Sequence, residues 1–174
     1  MIRKDIKNII KEFFFVNPTK KLRVREIERE LKLPLPSVIR YAKELDGEKL
    51  LDKIKIGNVV YYTGNRSSQN FLIEKKLFNI KKLYDSNFIN FLKEELSNPI
   101  IIVFGSYARG EDIETSDIDL YIETHSKKNL NLKSFEKEMK RDIQLFTHEN
   151  INKVKNEHLK NNILNGVVLN GFIQ

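Results

Sequence analysis

Residues 100–123 read IIIVFGSYARGEDIETSDIDLYIE, and they constrain the fold more than any other part of this chain. The run that ends at Phe104 is continuously apolar, which is typical of a β-strand buried on both faces. A second apolar run follows Ser116, and two aspartates one residue apart, Asp117 and Asp119, interrupt it. Residues i and i+2 of a strand point to the same face. The stretch therefore predicts two strands and a pair of carboxylates that project side by side.

The Asp117–Asp119 pair calls for a nearby positive charge. Like charges at this separation repel, and each tends to raise the pKa of the other. No Lys or Arg stands beside them in the predicted strand, so a hard divalent cation, Mg²⁺ or Mn²⁺, is the natural candidate. Two such ions bridged by carboxylates are the apparatus of in-line phosphoryl or nucleotidyl transfer.

Gly105 and Ser106 follow the first predicted strand directly. Glycine lets backbone N–H groups approach a ligand without a Cβ in the way. If Ser106 opens a helix, its hydroxyl and the freed N–H groups suit a phosphate, and Arg109 adds a positive charge toward the same anion. Gly-Ser and Asp-x-Asp are each common alone, but their combination at the ends of two strands is narrow.

This combination resembles the signature GSxARGxxxxxSDIDL of the minimal nucleotidyltransferases, in the DNA polymerase β-type nucleotidyltransferase superfamily. The resemblance covers roughly residues 72–174 and implies a small mixed α/β fold that transfers a nucleoside monophosphate from an NTP, with ATP expected. It implies Mg²⁺ held by Asp117 and Asp119, and nucleotide bound by Gly105, Ser106, Arg109 and Ser116. The matching residues are Gly105, Ser106, Ala108, Arg109, Gly110, Ser116, Asp117, Ile118, Asp119 and Leu120.

The third carboxylate of this family comes from a later strand, and here the sequence departs from the pattern. The corresponding run is RDIQLFT, residues 141–147. Aligning apolar residue with apolar residue puts Gln144 at the carboxylate position. Asp142 lies two residues earlier on the same face, so it is the candidate third catalytic and metal-binding residue after a displacement of one pleat. A surface position beside Arg141 is the alternative, and it would leave nucleotide binding with slow or absent catalysis.

The first third of the chain carries nearly all of the excess positive charge. Residues 1–65 contain 15 Lys/Arg and 9 Asp/Glu, a net charge of +6 out of +7 for the whole chain. Excess charge of this kind is expected where a protein meets a polyanion. Apolar spacing predicts helices over 4–15, 25–33 and 37–51, with Ser37 as the N-cap of the third, and Gly57-Asn58 predicts a hairpin turn.

Three helices followed by a hairpin resemble a winged helix-turn-helix domain. In that family the third helix usually enters the major groove, and the hairpin touches the DNA backbone. A winged helix used for dimerisation or protein docking, with a solvated basic face, is the alternative. The resemblance implies DNA contacts by Ser37, Arg40, Tyr41, Lys43, Lys53 and Lys55.

The polar run 65–70 is the predicted linker, which gives a DNA-binding domain over 1–65 and a nucleotidyltransferase domain over 66–174. The whole is predicted to be α/β (α+β), with covering helices over 71–84 and 88–96. Strands over 99–104, 118–124 and 141–147, with helices over 132–140 and 157–171, complete the second domain. The acidic loop residues Glu111, Asp112 and Glu114 are expected to be solvated. Zero cysteines and the lack of a long apolar run fit a cytoplasmic protein.

Two functional interpretations follow. In the first, the chain is a Mg²⁺-dependent nucleotidyltransferase, and its acceptor is a hydroxyl of a protein or, as second choice, of a small molecule. Some minimal nucleotidyltransferases act as antitoxins by transferring AMP to a tyrosine of a HEPN-family toxin, so the resemblance implies such a partner. In the second, the chain is a DNA-binding regulator whose nucleotidyltransferase fold senses nucleotides or docks a partner. An interaction scaffold is a third option, and the oligomeric state, including a homodimer, stays open.

Overall fold

The computed structural model describes residues 5–173, and the chain divides into two compact units, residues 1–75 and 76–174. Residue 4, where the first helix was predicted to begin, lies outside the described residues. The unit boundary falls within a helix, so that helix begins in one unit and ends in the other. Within residues 5–173, none of the helices combines the length and the apolar character that crossing a membrane requires.

The first unit consists of three helices and a two-stranded antiparallel hairpin, in the predicted order. The hairpin turns at Gly57, whose φ of +58° lies in the left-handed region that glycine enters at little cost. The helices bury one another's apolar stripes, with Ile10, Phe14 and Ile27 completely inaccessible to solvent. The elements are α1 (Ile6–Val16), α2 (Val24–Leu31), α3 (Leu35–Gly47), β1 (Leu51–Ile56) and β2 (Val59–Gly64).

The predicted N-cap of the third helix is wrong. Helix α3 begins at Leu35 with Pro34 as its N-cap, so Ser37 lies inside the first turn, where its backbone N–H donates to the Pro34 carbonyl. Pro36 also lies in this first turn, to which proline is well suited. Its fixed φ is already helical, and its missing N–H would have had no partner within the helix.

The second unit is a four-stranded mixed sheet with helices on both faces. The strand order is β5-β4-β3-β6, in which β4 and β5 are parallel and the other pairs are antiparallel. The mixed α/β class and the small mixed sheet are confirmed. The elements are α4 (Gln69–Asp85), α5 (Phe88–Glu95), β3 (Ile100–Phe104), α6 (Gly105–Arg109), β4 (Ile118–Glu123), α7 (Lys133–Met139), β5 (Ile143–His148), a 3₁₀ turn (Ile151–Lys153), α8 (Glu157–Leu164) and β6 (Val167–Asn170).

The two faces of this sheet contribute to different apolar clusters. One face packs Val103, Leu120 and Ile122 against residues of α4, α5 and α7. The other face packs Phe104 and Tyr121 against residues of the 3₁₀ turn and α8. Side chains alternate along a strand, so the face that carries Tyr121 also carries Asp119 two residues earlier. The aspartate pair therefore lies where this second apolar face meets solvent.

The predicted helix over 157–171 is wrong in its second half. Helix α8 ends at Leu164, and residues 167–170 form β6 at the edge of the sheet, paired with β3. Gly166 makes the change of direction possible, because a Cβ there would come within 2.6 Å of the Val103 carbonyl oxygen. Two consecutive valines then favour a strand. As a result Val168 lies on an edge strand and is half exposed.

Candidate active site

The antiparallel pairing of β3 and β4 builds the base of the site. Phe104, the last residue of β3, lies opposite Asp119. Asp119 is partly buried, whereas Asp117, one residue before β4, is exposed. Burial raises the pKa of the Asp119 carboxyl, and the nearby charge of Asp117 raises it further. The two carboxylates are therefore close enough to repel each other, and a bound cation would relieve that repulsion.

Gly105 brings the backbone of the motif against this pair. Its φ is +72°, and a Cβ at this position would lie 2.5 Å from Oδ2 of Asp119. A side chain of any size would have to displace the carboxylate, and the left-handed backbone would strain it as well. The glycine is therefore required both by the turn and by the approach of Asp119.

Helix α6 begins directly at this glycine, as predicted for a phosphate-binding turn. Ser106 is half-buried, and among residues 5–173 none makes a hydrogen bond to its hydroxyl group. Arg109 is exposed, and its Nε donates to Oε2 of Glu111 at 2.7 Å. The Ser116 hydroxyl accepts from the Ile113 N–H at 2.9 Å. Ser116 therefore closes the loop before β4, while Ser106 keeps a hydroxyl available to a ligand.

The parallel pairing of β4 and β5 decides which residue adjoins the aspartates. Asp119 is in register with Gln144, and the Ile118 N–H donates to the Asp142 carbonyl at 2.8 Å. Gln144 is thus the cross-strand neighbour of Asp119, as the apolar alignment predicts. Asp142 lies one pleat away, beside Asp117. Both Asp142 and Gln144 are exposed.

Asp117 and Asp142 line the same cavity, which has a volume of about 290 Å³. The end of α7 also lines this cavity, where Lys137 and Lys140 contribute exposed cationic side chains. Asp142 therefore faces an accessible space next to the aspartate pair. Over the described range 5–173, no three or more His, Cys, Asp or Glu side chains are grouped so that they could hold a metal ion.

The donor set nevertheless fits a divalent cation in part. The carboxylates of Asp117 and Asp119 repel each other, and Gly105 leaves room beside them. Their oxygen atoms are the donors that Mg²⁺ and Mn²⁺ prefer. The amide oxygen of Gln144 beside Asp119 adds a neutral donor of the same hard class. Asp117 and Asp119 are the residues that would hold the ion, and phosphate oxygens of a nucleotide would complete its coordination.

Sequence reasoning missed a buried polar cluster behind the site. Asp112 was expected to be solvated, but its carboxylate is buried, with Oδ2 3.2 Å from Nη2 of Arg141. Asn79 of α4 donates to the same carboxylate at 2.8 Å and to the Tyr107 carbonyl at 2.9 Å. A charged residue in a polar loop looks solvated in sequence, because only the tertiary fold brings its partner to it.

The predicted DNA-contacting residues of the first unit occupy two elements. On α3, Arg40 and Lys43 are exposed, and the Arg40 guanidinium lies 4.3 Å from the centre of the Tyr41 ring. On β1, Lys53 and Lys55 are exposed and two residues apart, so they share a face of the hairpin. Ser37 is half-buried at the start of α3.

Comparison with known proteins finds a family that is similar to most of the second unit. Residues 85–170 match the protein family described as "Nucleotidyltransferase domain". This segment contains the Gly105 turn, the aspartate pair and β5, so the part of the chain that carries the site is similar to nucleotidyltransferase domains. Domains of this family generally use nucleoside triphosphates and divalent metals.

A shorter match is to one curated protein. A protein of Methanocaldococcus jannaschii, whose name gives it as a candidate protein adenylyltransferase, is 51% identical to this chain over 47 residues. The match covers 27% of this chain and 54% of that protein, so it spans about half the length of the curated relative. No solved structure matches the chain.

Proposed function

We propose that the chain transfers a nucleoside monophosphate from an NTP to a hydroxyl group of a protein, with Mg²⁺ or Mn²⁺ as the required cation. The observation that carries this proposal is the approach of the Asp119 carboxylate to Gly105 at the end of β3. That approach puts the aspartate pair next to the turn that opens α6, in a segment similar to nucleotidyltransferase domains, which supports this proposal.

Each part of the site has a role in this reaction. The N–H groups that open α6 and the Ser106 hydroxyl bind phosphate oxygens, and Arg109 leaves Glu111 to neutralise the same anion. Asp117 and Asp119 would hold the cation, which would neutralise negative charge of the triphosphate. The acceptor oxygen forms the new bond to the α-phosphorus, and pyrophosphate leaves. Asp142, which faces the open cavity, accepts the proton of the hydroxyl.

The name of the archaeal relative favours AMP as the transferred group and a protein as the acceptor. Within that class, we propose a tyrosine of a HEPN-type toxin as the first acceptor to test, because the motif resembles antitoxins of this kind. The mixed charge of the cavity, which both Asp142 and the lysines Lys137 and Lys140 line, suits a polar protein segment better than an apolar ligand.

The test is transfer of label from ATP labelled at its α-phosphate, with Mg²⁺ and the protein product of the neighbouring gene. We expect a labelled acceptor with the full chain, and loss of labelling after combined replacement of Asp117 and Asp119 by Ala. The matched control replaces Glu94 and Glu138, which are exposed and outside the site, and it should label normally. Labelling of no acceptor, or equal labelling by the Asp117→Ala, Asp119→Ala protein, would contradict the proposal.

The first unit supports a second, compatible function in DNA binding. Its support is the exposure of Arg40 and Lys43 on α3 together with Lys53 and Lys55 on β1. We propose that the first unit is a winged helix that binds the chain's own promoter, so that the regulator and the transferase are one protein. The test is fluorescence anisotropy of labelled promoter DNA titrated with the full chain at low salt. Absence of binding there would leave the transferase proposal standing and remove this one.

A further inference from the structure

The register between β4 and β5 places Gln144 beside Asp119 of the aspartate pair. Asp119 and Gln144 are paired residues of neighbouring parallel strands, so their side chains project to the same face. Adjacent strands lie about 4.8 Å apart, which puts the amide within reach of whatever the Asp119 carboxylate holds. Gln144 is also exposed, so no packing demand of the described fold explains an amide at this position.

The residue at position 144 determines how much negative charge the site carries. Asp117 and Asp119 contribute two negative charges, and a carboxylate at position 144 would contribute a third on the same face. An amide keeps the oxygen donor and omits the charge. Affinity of oxygen sites for hard divalent cations depends on the number of charged ligands. The site in this chain therefore carries two negative charges, one fewer than a cluster of three carboxylates.

Asp142 does not restore that charge beside Asp119, which is paired with Gln144. It adjoins Asp117 one pleat away, and it lines the same cavity as Lys137 and Lys140. Those two ammonium groups are exposed and face the same space. Within residues 5–173 no triple of His, Cys, Asp and Glu side chains is assembled for a metal.

We propose that Gln144 makes cation binding depend on the nucleotide. Asp117 and Asp119 bind Mg²⁺ or Mn²⁺ that arrives with the triphosphate, and they retain little of it when the nucleotide is absent. Phosphate oxygens supply the ligand charge that the amide of Gln144 withholds. This inference rests on the proposed nucleotide site, but it does not depend on transfer to an acceptor.

The test is a titration of the full chain with Mn²⁺, followed by electron paramagnetic resonance of the free ion. It is run with and without a non-transferable ATP analogue that has a methylene group between the α- and β-phosphorus atoms. The variants are Gln144→Glu, which keeps the length and adds a charge, and Gln144→Met, which keeps the length and adds none. We expect weak Mn²⁺ binding to the wild-type chain alone and tight binding with the analogue. Gln144→Glu should bind Mn²⁺ alone at least about tenfold more tightly, and Gln144→Met should not.

Two results would overturn the inference. If the wild-type chain without nucleotide binds Mn²⁺ as tightly as Gln144→Glu does, then the amide does not weaken cation binding. Loss of such binding in Asp142→Asn would then identify Asp142 as the missing charged ligand. Equal gains in Gln144→Glu and Gln144→Met would show that the amide acts by packing or hydrogen bonding. Nucleotide-dependent Mn²⁺ binding without label transfer would contradict the proposed transferase and leave this inference intact.

Discussion

Arg141 and Asp112 form a buried ion pair, with 3.2 Å between Nη2 and Oδ2 and side chains that are only 4% and 1% exposed. Arg141 immediately precedes Asp142, and Asp112 lies in the loop between α6 and β4. The pair therefore ties the start of β5 to the loop that carries the signature motif. Asn79 on α4 donates to the same carboxylate, so a third element is held at this point.

Replacement of Arg141 by Met should destabilise the chain strongly. Removing one partner of a buried ion pair leaves the other as an uncompensated buried charge, which lowers the free energy of unfolding by about 3–5 kcal/mol. The control is Arg109→Met, which removes an exposed guanidinium paired with Glu111 and should cost at most about 1 kcal/mol. Urea unfolding followed by circular dichroism measures both. A loss in Arg141→Met no greater than in Arg109→Met would mean that the buried pair contributes little.

Replacement of Gly105 by Ala should damage the site more than the fold. The left-handed backbone costs an alanine about 1–2 kcal/mol, and the added Cβ would displace Oδ2 of Asp119, from which it would lie 2.5 Å. We expect loss of nucleotide-dependent Mn²⁺ binding with a modest drop in melting temperature. The control is Gly47→Ala at the end of α3, where a Cβ would have no neighbour within 4 Å. Unchanged Mn²⁺ binding in Gly105→Ala would show that the carboxylate does not need this approach.

The strands, the glycine turn and the aspartate pair could be predicted because each depends on neighbours in sequence. Ile100–Phe104 and Ile118–Glu123 are apolar runs whose period is visible directly. The position of Gln144 beside Asp119 also followed from the sequence, because register in a sheet is set by which residues must be buried.

The parts that sequence could not predict depend on distant partners. Nothing local marks Asp112 as buried, since its cation, Arg141, lies 29 positions further along the chain. Strand β6 was taken as the end of a helix because its four residues are too few to show a period and Leu164 continued the apolar pattern of α8. Pairing with β3 decided the outcome, and that contact is not local.

The stability of the cation-free protein should depend on the charge of Asp119. Its pKa is raised in the folded state by burial and by Asp117, so the folded protein binds that proton more tightly than the unfolded chain does. The associated stability is present at acidic pH and is lost as the pH rises through the raised pKa. We therefore expect Asp119→Asn in EDTA to be more stable than wild type at about pH 7, with the difference narrowing toward about pH 4.

The measurement for Asp119→Asn is the free energy of unfolding from urea titrations at a series of pH values. The control is Glu138→Gln, an exposed carboxylate of α7 outside the site, whose difference from wild type should not vary in this way. A difference for Asp119→Asn that grows as the pH falls would contradict the sign derived from the raised pKa. Addition of Mn²⁺ with the ATP analogue should reverse the order, because the wild-type carboxylate then has its cation.

Combined replacement of Arg40 and Lys43 by Ala should weaken DNA binding and change its salt dependence. Each phosphate contact releases counterions, so losing two contacts should reduce the slope of log affinity against log salt by about 2. The control replaces Lys127 and Lys133, two exposed lysines of the second unit, with the same loss of net charge. If both double variants lose affinity equally, net charge explains the binding. If only the α3 variant loses affinity and its slope of log affinity against log salt falls, then that helix contacts the DNA backbone. An unchanged slope would rule out phosphate contacts by Arg40 and Lys43.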